Sequence, residues 1–376
     1  MTIIIFILIL SFLVLIHELG HFLTAKKFGI KVEEFGMGYP PKALTLHKDK
    51  GGTEYTLNWL PFGGFVRMFG EDGSMTTEGK GTQGKAFFDK PVWQRMIVII
   101  AGVSVNFAFG VVAFALIFSI SQIVPSYFWS VRVNDVSVNS PAFEAGIQAG
   151  DEIIDARGSR GGRRTLTTGD LTSTLTRHEG ELIKLSLKSG EVREVRVRTR
   201  EEIPEGEGLI GIVISDREEK EAQGLNASIF GAKAGITEAL LFSRTLLFSL
   251  KEMVVDGFAQ GSAPQEVAGP VGIVHMAQKE GILTGGWMPR LYFAAILSIN
   301  LAIINLIPFP ALDGGRVIFL LYEGIRRKRI NPKIEHYANF AGFLLLIGMI
   351  VAVSARDISR VVQDASVQNW FKNLLP

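Results

Sequence analysis

The sequence predicts a multi-pass α-helical membrane protein with about four transmembrane helices. A β-hairpin region follows the first helix, and a soluble α+β domain is inserted between the second and third. Three observations predict this fold. Hydrophobic residues make up 47% of the 376 while 20% are charged, which suits an integral membrane protein that carries a soluble part. Four segments approach the ~20 mainly apolar residues that a bilayer requires. A long central stretch instead alternates apolar and charged residues, as half-buried strands do. The formal net charge of +2 leaves no basic footprint for nucleic acid. There is no cysteine, so disulfides and thiolate metal ligands are excluded.

The first apolar segment runs over residues 2–25. No Lys or Arg precedes Lys26, and His17-Glu18-Leu19-Gly20-His21 falls where a signal-peptide cleavage site would lie. The segment therefore reads as an uncleaved first transmembrane helix. Over 31–70 the runs Thr53–Leu57 and Gly64–Met68 alternate, with Gly51-Gly52 and Pro61-Phe62-Gly63-Gly64 as turns, which predicts β-hairpin structure. Residues 71–86 read as a flexible loop. The second span is expected over 96–121, without a charge.

Residues 131–215 predict the soluble domain: a short helix, a tight Gly turn and a strand in Ser140–Ile154, a helix near 168–177, and further strands at 181–188, 191–199 and 209–214. Residues 226–258 predict a helix whose Lys233, Glu238, Arg244 and Lys251 argue against a span. We expect it to lie as an amphipathic helix on the outer membrane surface. The third and fourth spans are expected over 290–308 and 337–353. The resulting divisions are 1–130, 131–216, 217–289 and 290–376. No internal repeat is visible.

Basic residues set the orientation. Lys26, Lys27, Lys31, Lys90 and Arg95 flank the loop after the first span, and Arg326–Arg329 and Lys333 fill the loop between the last two. Both loops are expected on the cytoplasmic side, which puts both termini and residues 122–289 outside. The 326–329 run reads as this orientation signal and a lipid contact.

The chemistry concentrates in two motifs. Residues four apart on a helix share a face, so His17 and His21 can hold one metal ion with Glu18 beside it as a base. Ionisable groups at membrane depth are costly, and the default reading of them is functional. A catalytic zinc ordinarily takes three protein ligands and leaves one position open. The best third ligand is Asp313, in Asn305-Leu306-Ile307-Pro308-Phe309-Pro310-Ala311-Leu312-Asp313-Gly314-Gly315, where prolines and glycines forbid a regular helix. Broken backbone at that depth must line protein or water. Blander roles stand beside these. Asp313 can cap the helix that follows, and Asn305 can hydrogen-bond between helices. Asn106 reads as structural, and His47, His178, His275 and His336 read as surface or interfacial residues.

The two motifs, in this order around a Ser-Pro-Ala…Ala-Gly…Gly-Asp domain, resemble the site-2 protease family of intramembrane zinc metalloproteases, in particular its bacterial regulator-of-sigma-E protease type. The resemblance covers nearly the whole chain. It implies that His17, His21 and Asp313 are zinc ligands, that Glu18 is the catalytic glutamate, and that Asn305 contacts the substrate near the scissile bond. It implies a PDZ domain over 131–216 and a membrane-associated β-hairpin region over 31–70. Gly269–Ile273 also resembles a segment before the third span of this group. The implied substrates are transmembrane proteins or peptides, such as anti-sigma factors and remnant signal peptides, in the bacterial inner membrane. One departure stands out: that type carries two PDZ domains in tandem, and this chain has room for one. Two other classes compete. A catalytically silent membrane scaffold that presents its PDZ domain would need no intact His17, Glu18, His21 and Asp313. A metal transporter would be expected to show internal repeats.

Overall fold

The computed structural model describes residues 2–71, 84–204, 206–260 and 269–363. In chain order the elements are α1 (Thr2–Lys27), β1 (Val32–Lys48), β2 (Glu54–Met68), α2 (Val92–Ser121), β3 (Ile123–Val136), the single-turn α3 (Pro141–Glu144), β4 (Glu152–Gly158), β5 (Gly161–Arg164), α4 (Thr168–Arg177), β6 (Leu182–Leu187), β7 (Val192–Arg196) and β8 (Ile212–Glu221). Then follow α5 (Leu225–Gln260), α6 (Pro270–Lys279), α7 (Trp287–Leu306), α8 (Asp313–Arg326) and α9 (Pro332–Gln363). Residues 72–83 of the loop expected at 71–86 lie outside the described residues. The chain divides into two compact units, one of residues 1–113 with 260–376 and one of residues 114–259.

Helices α1, α2, α7 and residues 333–359 of α9 are long and apolar enough to cross a membrane, and all of them but residues 114–121 of α2 belong to the first unit. The expected fourth span, 337–353, is too short. Lys333, Glu335, Arg356 and Asp357 interrupt the apolar run, but none of them breaks a helix, and proline is well tolerated as the first residue, Pro332. Arg95, 1% exposed near the start of α2, is gripped by both carboxylate oxygens of Glu323 on α8 at 2.6 and 3.1 Å. The carbonyl of Lys90 accepts a third bond from its Nε.

The expected hairpin is more folded than its name implies. Residues 34–37 of β1 pair with 54–57 of β2 on one side and with 64–67 on the other, while 42–48 of β1 pair with 54–58. The order across this small sheet is therefore 42–48, 54–58, 32–37, 64–68, and among the described residues the last segment is an open edge. The doubling needs sharp bends. At Gly38, with φ +81°, a Cβ would stand 2.4 Å from the Leu60 carbonyl oxygen, so only glycine fits. Val32 and Met68 anchor the sheet among Phe22, Ala25, Phe87, Val98, Ile99 and Leu320, from α1, α2, α8 and the segment before α2.

In the second unit the strands form an antiparallel sheet in the order β7-β6-β4-β3-β8, with β5 on β4. Its core gathers Val131, Val133, Ile153, Leu171, Ile183, Leu185 and Ile210. Thr167 caps α4, whose Asp170 carboxylate bonds back to the Thr167 N–H. The sheet is longer at both ends than the sequence suggested. Ile123–Tyr127 pairs with Arg217–Glu221, a ribbon that carries charges where an apolar alternation would have marked it. His178, expected to be a surface or interfacial residue, is buried inside the second unit: its Nδ1 bonds the Thr174 carbonyl oxygen at 2.8 Å and its Nε2 accepts from the Arg160 N–H at 3.2 Å. Helix α5 lies close against residues 115–119 of α2, because Gly231 and Gly235 leave no room for a Cβ there. Two of its charged residues turn to the sheet and α4: Glu238 binds Arg217 and Tyr127, and Arg244 reaches Asp170, while Lys233 and Lys251 are exposed.

Candidate metal centre

The helical spacing of His17 and His21 puts their rings 4.7 Å apart, nearly perpendicular, on the face of α1 that meets α2. Both are buried, 6% and 8% exposed. Their Nε2 atoms lie 3.1 Å apart. Asp313, far along the chain, brings Oδ2 to 3.0 Å from His17 Nε2 and 3.4 Å from His21 Nε2. Asp313 is the first residue of α8 and Leu312 is the N-cap. The two glycines after it let the turn close: a Cβ on Gly314 would stand 2.2 Å from the Ile307 carbonyl oxygen, and one on Gly315 2.3 Å from that of Phe309.

The donor set fits zinc on its own geometry. Bonds of about 2.0–2.1 Å to a tetrahedral ion place neighbouring ligand atoms about 3.3 Å apart. The three separations here are 3.0, 3.1 and 3.4 Å. His21 Nδ1 donates to the Val98 carbonyl oxygen at 2.8 Å, so the neutral ring presents a lone pair at Nε2. His17 Nδ1 lies 3.3 Å from the side-chain nitrogen of Asn106, whose Oδ1 is buried without a partner. Turning that amide over satisfies Oδ1 with a His17 Nδ1–H and leaves the second Nε2 lone pair facing inward. Two lone pairs and a carboxylate oxygen at these distances repel one another unless positive charge sits among them. Among the described residues this is the one cluster of three or more metal-ligating side chains.

Glu18 is half-buried beside the cluster, and the charges that act on it are His21, His17, Asp313 and Glu71. The small sheet reaches this point as well: a Cβ on Gly64 would stand 3.6 Å from Glu18 Cγ. Asn305 is half-buried in the last turn of α7, outside the hydrogen-bonded cluster. The structure thus gathers His17, Glu18, His21 and Asp313, and it leaves Asn305 in the segment that leads to Asp313.

Two residues at the centre have no motif to mark them. Asn106, expected to be structural, bonds His17, and its own carbonyl oxygen accepts from Ser298 at 2.8 Å. Gly102 faces both imidazoles: a Cβ there would stand 2.4 Å from His21 Nε2 and 2.8 Å from His17 Nε2. Gly20 makes the reciprocal approach, its Cβ position 2.7 Å from the Ala101 carbonyl oxygen. The available signal was the small pair Ala101-Gly102 in an otherwise bulky apolar span, since small residues mark close helix crossings in membranes.

Comparison with known proteins bears on this site. The pattern that defines "Peptidase family M50" matches residues 5–349. A Clostridium perfringens protein named for a zinc metalloprotease activity is 36% identical over 358 residues, covering 95% of this chain and 98% of the relative. Zinc metalloprotease RasP of Bacillus licheniformis is 30% identical over 435 aligned positions, with 96% and 99% covered. RasP of Geobacillus kaustophilus is 29% identical, with 96% and 98% covered.

Proposed function

The chain belongs to peptidase family M50, a family of zinc metalloproteases, and on that premise we propose that it hydrolyses peptide bonds inside the transmembrane segments of membrane proteins. The observation that carries this reading is the meeting of His17, His21 and Asp313, with Glu18 beside them, on an apolar helix long enough to cross a membrane. His17, His21 and Asp313 hold the zinc, which when bound polarises a carbonyl and acidifies water. Glu18 takes a proton from the attacking water on a carboxylate oxygen and delivers it to the leaving amine nitrogen. The Val98 carbonyl and the Asn106 side chain fix the tautomer and tilt of the two imidazoles. Asn305 donates a hydrogen bond to the substrate backbone or to the oxyanion that develops at the scissile carbonyl.

A helical substrate hides its carbonyls in its own hydrogen bonds, so it unwinds locally before attack. Residues 64–67 offer it an alternative partner. They pair on one side with 34–37, and Gly64 adjoins Glu18, so an extended peptide added to the free edge passes the base. Residues 131–216 act as a single PDZ domain that excludes substrates with bulky outer domains. The basic loops lie inside and both termini outside the bacterial cytoplasmic membrane. Anti-sigma factors and remnant signal peptides are the substrate classes this arrangement suits.

The test is cleavage of a panel of tagged single-span proteins by the wild-type chain and by Glu18→Gln, with and without a chelator. Cleavage within the spans by the wild type, lost in the variant and with chelator, is the expected result. A Glu18→Gln chain that keeps full biological activity would instead identify a scaffold.

A further inference from the structure

We infer that Glu71 and Arg316 are positioning residues for substrate: their ion pair fastens the open edge of the small sheet to the helix that carries Asp313. The inference rests on strand addition at residues 64–67. Glu71 lies in the turn just past the end of β2. Its Oε2 accepts the Met68 N–H at 3.2 Å, and its Oε1 accepts from the Arg316 guanidinium. Arg316 stands one turn beyond Asp313 in α8, on the same face. The edge segment is thus fixed at both ends, by the close seat of Gly64 against Glu18 and by the Glu71–Arg316 pair.

The surroundings make the pair matter. Glu71 and Arg316 are only 15% and 23% exposed at the side chain. They line one wall of a cavity of about 360 Å³ that also contains Asp313, Glu335 and Asn339. Losing Arg316 there strands Glu71 without its cation, and losing Glu71 leaves Arg316 only the charges of Glu335 and Asp313, in a poorly solvated place. The edge would then lose its polar tie to α8 and keep only the apolar packing of Met68 near Leu320, while the proposed metal ligands keep their places: neither residue bonds His17, His21 or Asp313.

The experiment uses the full chain in detergent with the Glu18→Gln substitution, so that substrate binds without being cut. A benzophenone side chain replaces Phe65, and the probe is a tagged single-span peptide that the wild type cleaves. Zinc per chain, substrate affinity and photocrosslinking yield are measured for Glu71→Gln, for Arg316→Gln and for the exchange Glu71→Arg with Arg316→Glu. The inference expects full zinc in all chains, affinity and crosslinking reduced about tenfold in each single variant, and recovery to within about threefold in the exchange. Unchanged affinity and crosslinking in the single variants would overturn it, as would loss of zinc in step with affinity, or an exchange as weak as the singles. A parent chain that binds substrate but yields no crosslink from position 65 would overturn strand addition itself, a separate failure.

Discussion

The Nδ1 of His17 lies 3.3 Å from the side-chain amide of Asn106, a contact between two long apolar helices that orients from behind a ring proposed above as a zinc ligand. Partners of this kind typically contribute 10–100-fold to metal affinity. Asn106→Leu is therefore expected to weaken zinc binding by about 10–100-fold, read by competition with a chelator of known affinity. An unchanged affinity would remove Asn106 from the site.

Gly102→Ala places a methyl against both imidazoles, 2.4 Å from His21 Nε2. Overpacking of this kind costs about 1–3 kcal/mol, and here the strain falls on the proposed ligands themselves. The variant is expected to lose zinc and cleavage together. Gly324→Ala, where the nearest outside atom is Val92 Cγ1 at 3.7 Å, is the control and should keep both. Equal behaviour of the two variants would contradict the close crossing of α1 and α2.

Glu323→Gln leaves the guanidinium of Arg95 buried without its counter-charge. Breaking a buried pair from one side costs about 3–5 kcal/mol, so the thermal midpoint in detergent should fall markedly. A fall no larger than that of an exposed glutamate such as Glu194 would show that the pair contributes little.

Asp49, in the turn between β1 and β2, is held down to about 2 by a hydrogen bond from Lys26 and by the Thr53 N–H. A carboxyl with a depressed pKa stabilises the fold above its ordinary value, near 3.8, and loses that contribution as pH falls towards about 2. Protection of the Gly52 and Thr53 amides, corrected for intrinsic exchange, is expected to drop across that window. Constant protection would contradict the contact.

How much of this was legible follows from where each signal resides. His17, Glu18 and His21 are visible because one helix turn fixes their geometry locally. Asp313 is visible because its Pro- and Gly-rich run makes sense only as a shaped turn. The four apolar helices follow from composition, and the turns at 51–52 and 61–64 announce the β structure. Asn106 and Gly102 act only through the crossing of α1 and α2, and the Arg95–Glu323 pair only through the approach of α8 to the start of α2; no local pattern encodes either. The doubled pairing of residues 34–37 was hidden for a related reason. Alternation says which face a strand buries, not how many neighbours it has.

The central claim is one metal ion held by His17, His21 and Asp313, and zinc K-edge X-ray absorption with metal quantitation on the Glu18→Gln chain tests it most directly. The account predicts one zinc per chain, with two imidazole nitrogens and oxygen at about 2.0–2.2 Å, and loss of that signal in Asp313→Ala. A chain that binds no zinc, or one whose zinc environment survives Asp313→Ala unchanged, would contradict it.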